Sequence, residues 1–141
     1  MKDQVFYTEH ELRIDWSELD YFRHVNNVSI FKYIQSARVN YWDQIGLTQF
    51  HISTNTGPML ASTHCDFLLP LFYPGKIKVF TRTEFIKNTS FGFDHKILNE
   101  AGEIAARAKD VMVMFDFNKN EKITFPSRFR EAIERLEERR L

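Results

Sequence analysis

A long apolar segment that directly follows a short polar loop constrains the fold more than any other feature of this sequence. Apolar residues recur at three- and four-residue steps from Val28 to Ile45, which predicts an α-helix roughly 27 Å long. Only a narrow polar stripe interrupts the apolar surface, and Gly46 supplies a left-handed stop. A helix this apolar needs to be covered on most sides, most economically by a curved sheet.

The loop before this helix, from Trp16 to Asn27, contains several side chains that are able to do chemistry. They are Glu18, Asp20, His24, Asn26 and Asn27. Asn27 is a good N-cap, because its side-chain oxygen can accept from the free N–H groups of the first helical turn. Backbone dipoles make the start of a helix electropositive, so an acid beside it is a candidate for catalysis.

The rest of the chain predicts one strand before the loop and four strands after the helix. Strand patterns fall at residues 4–15, 59–69, 76–87, 90–99 and 103–117. Residues 47–58 and 118–121 are typical of a loop and a turn, and residues 126–141 predict a charged outer helix. The expected class is α+β in one domain, residues 1–141. Its antiparallel sheet of about five strands curls around one long central helix, with a further helix at the C-terminus.

Composition argues against several kinds of protein. Lys plus Arg is 19 and Asp plus Glu is 19, so no net charge favours nucleic acid or an anionic membrane surface. No stretch approaches the ~20 apolar residues of a membrane helix, and a single cysteine, Cys65, excludes an intrachain disulfide. The sequence shows no secretory signal, so we expect a cytoplasmic protein. No set of His, Cys and Asp residues has metal-ligand spacing, so no metal is expected.

The order of elements, together with the loop, resembles the hotdog fold, and more narrowly the acyl-CoA thioesterases of the 4-hydroxybenzoyl-CoA thioesterase type. That family has a first strand, then a stretch of the form acid-x-Asp-x-x-Gly-His-Val-Asn-Asn, then a central helix with an Ala-Arg pair. Here residues 18–27 read ELDYFRHVNN, and the helix contains Ala37 and Arg38. Residues 66–71 (DFLLPL) and 88–91 (NTSF) also match in kind and place. Arg23 stands where the family usually has Gly.

The resemblance implies hydrolysis of a thioester to a free acid and CoA. Asp20 is then either the nucleophile, through a mixed anhydride, or the general base for water. The backbone N–H near Asn27 is implied as the main donor to the thioester oxygen. Further residues near the substrate are, by the same resemblance, His24, Asn26, Thr63 and Ser90. CoA belongs to the substrate, so no separate cofactor is expected.

The resemblance also implies an assembly, because one sheet around one helix leaves strand edges unpaired. Two subunits pair edge to edge, with the active site at their interface and Thr63 and Ser90 approaching it from the neighbouring subunit. A tetramer of two such dimers is common in the family. Two other functions stay open: a thioesterase for acyl groups on an acyl carrier protein, and a non-catalytic hotdog protein that binds acyl-CoA. Arg23 is the feature that favours the non-catalytic alternative.

Overall fold

Five long strands and one two-residue strand form a single antiparallel sheet in the computed structural model, which describes residues 5–141. The strands are β1 (Thr8–Arg13), β2 (Thr56–Phe67), β3 (Lys76–Ile86), β4 (Ser90–Leu98), β5 (Ile104–Asp116) and β6 (Glu121–Lys122). The helices are α1 (Asn27–Ile45), α2 (Leu47–Thr54) and α3 (Ser127–Glu137), and a single 3₁₀ turn covers Trp16–Glu18. The strand order is β1-β3-β4-β5-β2, and β6 pairs with β5.

β2 lies at one edge of the sheet and is hydrogen-bonded only to β5 within residues 5–141. It contains Pro58, opposite Met114 of β5. Proline has no N–H to donate to a sheet ladder, so an edge strand is where it is tolerated. Most of β2 beyond Pro58 is exposed, including the apolar side chains of Met59, Leu60 and Phe67.

α1 forms where the apolar periodicity predicts a helix, and it packs against β1 and β3. Its buried face carries Ile30, Ile34, Ala37 and Tyr41 at the expected three- and four-residue steps. The expectation of a single long helix within the sheet is met only in part, because three helices are present. Of the two others, the C-terminal helix α3 was expected and α2 was not.

Two segments that were expected to be irregular contain regular structure. Residues 47–58 were predicted as a loop but form α2 and the first residues of β2. The turn predicted at 118–121 ends earlier, because Glu121 already pairs with Asp116 of β5. The predicted first strand is shorter than residues 4–15, since β1 covers Thr8–Arg13; residue 4 lies outside the described residues.

A layer of buried polar side chains separates two apolar clusters. One cluster surrounds Ile34 and Ala37 in the first half of α1, and the other surrounds Tyr41 and Ile45 in the second half. Between them, α1, β3, β4 and β5 each contribute one polar residue. These residues are Arg38, Thr81, His95 and Asp110. The core is therefore apolar around both halves of α1 and polar across its middle.

Candidate active site

The loop between the 3₁₀ turn and α1 is closed by a tight turn that begins at Asp20. The Asp20 N–H donates to the His24 carbonyl oxygen at 2.7 Å, and the Arg23 N–H donates to the Asp20 carbonyl oxygen at 3.0 Å. Leu19 pairs with Val25 across this turn, and His24 pairs with Phe72 in the segment after β2. The loop is thus fixed both within itself and against residues about 50 positions later in the chain.

One carboxylate oxygen of Asp20 holds the turn, and the other is free. Oδ1 accepts from the Phe22 N–H at 2.8 Å and from the His24 N–H at 3.2 Å. Within residues 5–141, Oδ2 accepts no hydrogen bond, and the residue is exposed. The turn therefore orients the carboxyl group through one oxygen while the other oxygen stays available to a reacting molecule.

The first turn of α1 offers unpaired N–H groups close to this loop. The N-cap is Asn26, whose Oδ1 accepts from the Ser29 N–H at 2.7 Å. The prediction that Asn27 is the N-cap was therefore wrong by one residue, and Asn27 is the first residue of the helix. Among residues 5–141 no acceptor lies opposite the N–H groups of Asn27 and Val28, as expected for the start of a helix.

A groove of about 250 Å³ brings the carboxylate and the helix start together. Asp20, His24 and Asn27 lie on its polar side. Its apolar side is formed by Val25, Ile30 and residues 67–71, which follow directly on the end of β2. A larger depression of about 450 Å³ shares residues 69–71 with this groove but contains no residue of the Asp20 turn. The arrangement suits a ligand with an apolar part and a polar group that reaches both Asp20 and Asn27.

Glu18 stabilises the loop through hydrogen bonds of both its side chain and its backbone. Its Oε1 accepts from the Asp15 N–H at 2.7 Å and from the Tyr33 hydroxyl at 2.8 Å. Its backbone carbonyl accepts from the Asn26 N–H at 2.9 Å. Burial, together with the hydrogen bond and charge of Glu18, raises the pKa of Tyr33, so this hydroxyl stays protonated and donates. Glu18 therefore joins the loop, the helix cap and the helix itself.

Three of the predicted site residues line the groove, and three do not. Asp20, His24 and Asn27 do, and the His24 ring packs edge-on against Phe72 with the ring centres 5.1 Å apart. The side-chain oxygen of Asn26 caps the helix instead. Thr63 lies on β2 and donates to Asp110 Oδ1 at 2.8 Å, and Ser90 begins β4. The roles predicted for these residues at a neighbouring subunit's site stay predictions.

The sequence of the whole region assigns the chain to a family. Residues 14–133 match the thioesterase-like superfamily, which is well over half of the chain. The chain belongs to the thioesterase-like superfamily. The matched segment includes the Asp20 loop, all of α1 and the four long strands from β2 to β5. The narrower 4-hydroxybenzoyl-CoA type stays an expectation.

Relatives of this thioesterase-like chain are distant in sequence and close in fold. The uncharacterized protein YsmA of Bacillus subtilis strain 168 is 23% identical over 123 residues, which is 87% of this chain and 82% of that protein. A thioesterase from Thermus thermophilus, solved complexed with coenzyme A and Zn, is 26% identical with a TM-score of 0.86, covering 96% of this chain and 98% of that one.

A DHNA-CoA thioesterase from Staphylococcus aureus has the same fold at lower identity. It is 18% identical with a TM-score of 0.82, covering 93% of this chain and 91% of that one. The curled antiparallel sheet with its helices is therefore the hotdog arrangement of these thioesterases.

A buried polar network, not predicted from the sequence, lies beside the edge strand of this thioesterase-like chain. Asp110 is completely buried, and its Oδ2 accepts from Arg38 Nε at 3.0 Å and from His95 Nε2 at 2.5 Å. The other ring nitrogen of His95 lies 2.8 Å from the Thr81 hydroxyl. Burial alone would raise the pKa of Asp110, but the hydrogen bonds and charges of His95 and Arg38 lower it to about 2. The sequence signal for this network is Asp110 itself, the one acid between Ala106 and Met114 on a strand face that also carries Ala108 and Met112.

The thiol of Cys65 lies outside the groove and is not activated. Burial, with a smaller effect of Asp66 and Asp110, raises the pKa of the Cys65 thiol to about 11, so it is a poor nucleophile near neutral pH. Among residues 5–141 no three His, Cys, Asp or Glu side chains are grouped so that they could hold a metal ion. No helix in this part of the chain is both long and apolar enough to cross a membrane.

Proposed function

We propose that the protein is an acyl-CoA thioesterase and that Asp20 is its catalytic carboxylate. The observation that carries this proposal is the groove shared by Asp20 and the start of α1. One carboxylate oxygen is fixed by two backbone N–H groups while the other is free, and Asn27 lies in the same groove. A thioester carbonyl placed between them meets an anion on one side and an unpaired N–H on the other.

The chemistry can follow two routes from this geometry. As a nucleophile, Asp20 forms a bond to the carbonyl carbon, the carbon–sulfur bond breaks, and the CoA thiolate leaves; water then hydrolyses the mixed anhydride. As a general base, Asp20 takes a proton from water, whose oxygen attacks the carbonyl while the thiolate leaves. In both routes the Asn27 N–H donates to the carbonyl oxygen as its negative charge grows.

CoA as the thiol carrier is supported by the relatives. The thioesterase from Thermus thermophilus, 26% identical, was solved complexed with coenzyme A, and the one from Staphylococcus aureus is named for a CoA ester. Residues 67–71, Val25 and Ile30 give the groove an apolar side that suits the acyl part.

The proposal includes a homodimer, or a dimer of dimers, as the working form. β2 offers 12 residues whose outer edge is unpaired within the described chain, and it exposes Met59, Leu60 and Phe67. Such an edge invites pairing with a second strand. In this proposal, two copies pair through β2, and Thr63 and Ser90 of the second copy complete the site.

The test is thiol release from short, long and aromatic acyl-CoAs by the wild-type protein and by Asp20→Asn. We expect activity on part of this panel and a loss of about 10²–10⁴-fold in kcat in Asp20→Asn. Asp43→Asn, an exposed acid near the other end of α1, is the matched control and should keep full activity. Retained activity in Asp20→Asn would remove Asp20 from the mechanism. Absence of activity on every acyl-CoA would favour carrier-protein thioesters or binding without hydrolysis.

A further inference from the structure

Arg23 occupies a backbone conformation that few residues other than glycine adopt. Its φ is +67°, in the left-handed region, at the position where a glycine would avoid the steric cost of a Cβ. This conformation connects two hydrogen bonds of the turn, because Arg23 lies between its own N–H, which donates to the Asp20 carbonyl, and the His24 carbonyl, which accepts from the Asp20 N–H. A costly conformation at a site is a reason to ask what the side chain does there.

The guanidinium of Arg23 is exposed and has no partner among residues 5–141. In this part of the chain no carboxylate lies within salt-bridge distance of it, whereas Arg38, Arg82 and Arg139 all pair with acids. Asp20, three residues away, uses its Oδ1 for backbone N–H groups and forms no ion pair with Arg23 in the described part of the chain. No other charge from Lys, Arg, Asp or Glu lies in the sequence between Asp20 and Lys32. The turn therefore presents one unsatisfied positive charge beside the candidate active site.

The two residues before Arg23 are also exposed, and both are aromatic. Tyr21 is 95% exposed and Phe22 is 74% exposed, with their ring centres 5.8 Å apart. The turn thus carries an apolar surface and a cation but, beyond Asp20, no acid. A guanidinium binds phosphate oxygens well because its N–H groups form a planar fork that matches them.

We propose that Arg23 binds a phosphate of the thiol half of the substrate, the phosphopantetheine part that CoA shares with an acyl carrier protein. This inference rests on the proposed function, because the phosphate is expected near Arg23 only if the thioester of the same substrate lies at Asp20. Arg23 is then a binding residue that recognises the carrier and takes no part in bond making.

The test is binding of three ligands that differ in phosphate: pantetheine, pantetheine 4′-phosphate and CoA. Calorimetric titration gives Kd for the wild type, Arg23→Gln and Arg23→Lys. We expect Arg23→Gln to weaken CoA binding roughly tenfold and to leave pantetheine binding unchanged, with Arg23→Lys intermediate. The difference should shrink at high salt, because the site is exposed. Arg135→Gln is the control: it removes another exposed, unpaired arginine of the described residues, one beside Ile45 and Gly46 at the other end of α1.

Three results would overturn the inference. They are equal weakening of the binding of all three ligands in Arg23→Gln, no weakening of CoA binding in that variant, or wild-type binding of CoA that is no tighter than that of pantetheine. We expect the effect to be present already with pantetheine 4′-phosphate, which carries the phosphate common to both carriers. An effect seen only with CoA would also overturn the inference, because it would assign Arg23 to the nucleotide phosphates. Hydrolysis of acyl-CoA and of the matching acyl-pantetheine separates the two proposals. If neither is hydrolysed while the binding pattern holds, the proposed activity fails and this inference stands. If acyl-CoA and acyl-pantetheine are both hydrolysed and Arg23→Gln changes the two rates equally, the proposed activity stands and the inference about Arg23 fails.

Discussion

Arg38 and Asp110 form a buried ion pair between residues 72 positions apart, with Arg38 Nε 3.0 Å from Asp110 Oδ2. The pair links α1 to β5 across the middle of the core. The same carboxylate oxygen also binds His95, and the other oxygen binds Thr63 of the edge strand. The carboxylate thereby connects the central helix to three strands, including the edge strand proposed to pair between subunits.

Replacing Asp110 by Asn should destabilise the protein strongly at pH 7. The change leaves the Arg38 charge buried without a counter-ion, which typically costs about 3–5 kcal/mol. Urea denaturation followed by circular dichroism measures the free energy of unfolding. Asp66→Asn is the matched control, because Asp66 is an exposed acid on β2. A loss below about 1 kcal/mol in Asp110→Asn would show that the pair contributes little.

The contribution of Asp110 should also depend on pH. Its pKa is about 2 in the folded protein against an ordinary value of 3.8, so the folded state binds this proton more weakly than the unfolded state does. The stabilisation is therefore complete above about pH 4 and is lost as the pH falls towards 2, amounting to about 2 kcal/mol. The free energy of unfolding, measured at a series of pH values, should differ between wild type and Asp110→Asn by an amount that decreases as the pH falls from about 4 towards 2. A constant difference would contradict the assignment.

The two adjacent asparagines at the start of α1 should differ in their effect on stability. Asn26→Ala removes the side-chain acceptor of the Ser29 N–H and should lower the free energy of unfolding by about 1 kcal/mol. Asn27→Ala removes an exposed side chain inside the first turn and should change it by less than about 0.5 kcal/mol. Thermal and urea unfolding of both variants measure this. A larger loss in Asn27→Ala would contradict the observed cap.

Arg23→Gly should raise stability, because glycine adopts the left-handed conformation without the Cβ clash. The gain is about 1 kcal/mol, reduced by the greater freedom of glycine in the unfolded chain. Arg23→Ala keeps the Cβ and loses the charge, so it separates backbone strain from electrostatics. The melting temperature should rise in Arg23→Gly and not in Arg23→Ala. Equal melting temperatures in these two variants would mean that the turn is not strained.

The local parts of the fold were predictable, because they follow from short-range patterns. The apolar period of α1 and its glycine stop gave a helix within one residue of the observed bounds. The N-cap was misplaced since Asn26 and Asn27 are equally good caps by residue type, and only backbone geometry distinguishes them. α2 was missed because residues 47–58 were predicted as a loop, whereas Leu47–Thr54 are helical and Gly57 and Pro58 lie at the start of the edge strand β2.

Contacts between parts of the site that are far apart in the sequence could not be predicted from the spacing of residues. Asp20 and Asn27 are seven residues apart and were linked by the loop pattern. The other wall of their groove comes from residues 67–71, brought there by the pairing of His24 with Phe72. The residues around Asp110 in the sequence do not indicate its partners Arg38 and His95, which lie on α1 and β4. Such contacts depend on how the sheet pairs, and the sequence patterns do not specify that.

The C-terminal helix should depend on a single buried carboxylate, that of Glu137. Glu137 is completely buried, and its oxygens accept from the Tyr41 hydroxyl, from the Thr83 N–H at 2.7 Å and from Arg139 Nε at 2.9 Å. Burial and the neighbouring Glu137 charge raise the pKa of Tyr41, so its hydroxyl remains a donor.

Glu137→Ala removes the acceptor of two buried donors, the Tyr41 hydroxyl and the Thr83 N–H, and of the half-buried Arg139 guanidinium, and should cost about 3 kcal/mol or more. Urea unfolding measures the loss, and hydrogen exchange in residues 127–137 tests whether α3 opens before the sheet does. Glu131→Ala, an exposed acid on the same helix, is the control and should stay within about 0.5 kcal/mol of wild type. If both variants lose the same small amount, α3 is held by the apolar contacts of Phe129 and Ile133 alone. If only Glu137→Ala loses stability and α3 exchanges first, the carboxylate is what fixes the helix to β3.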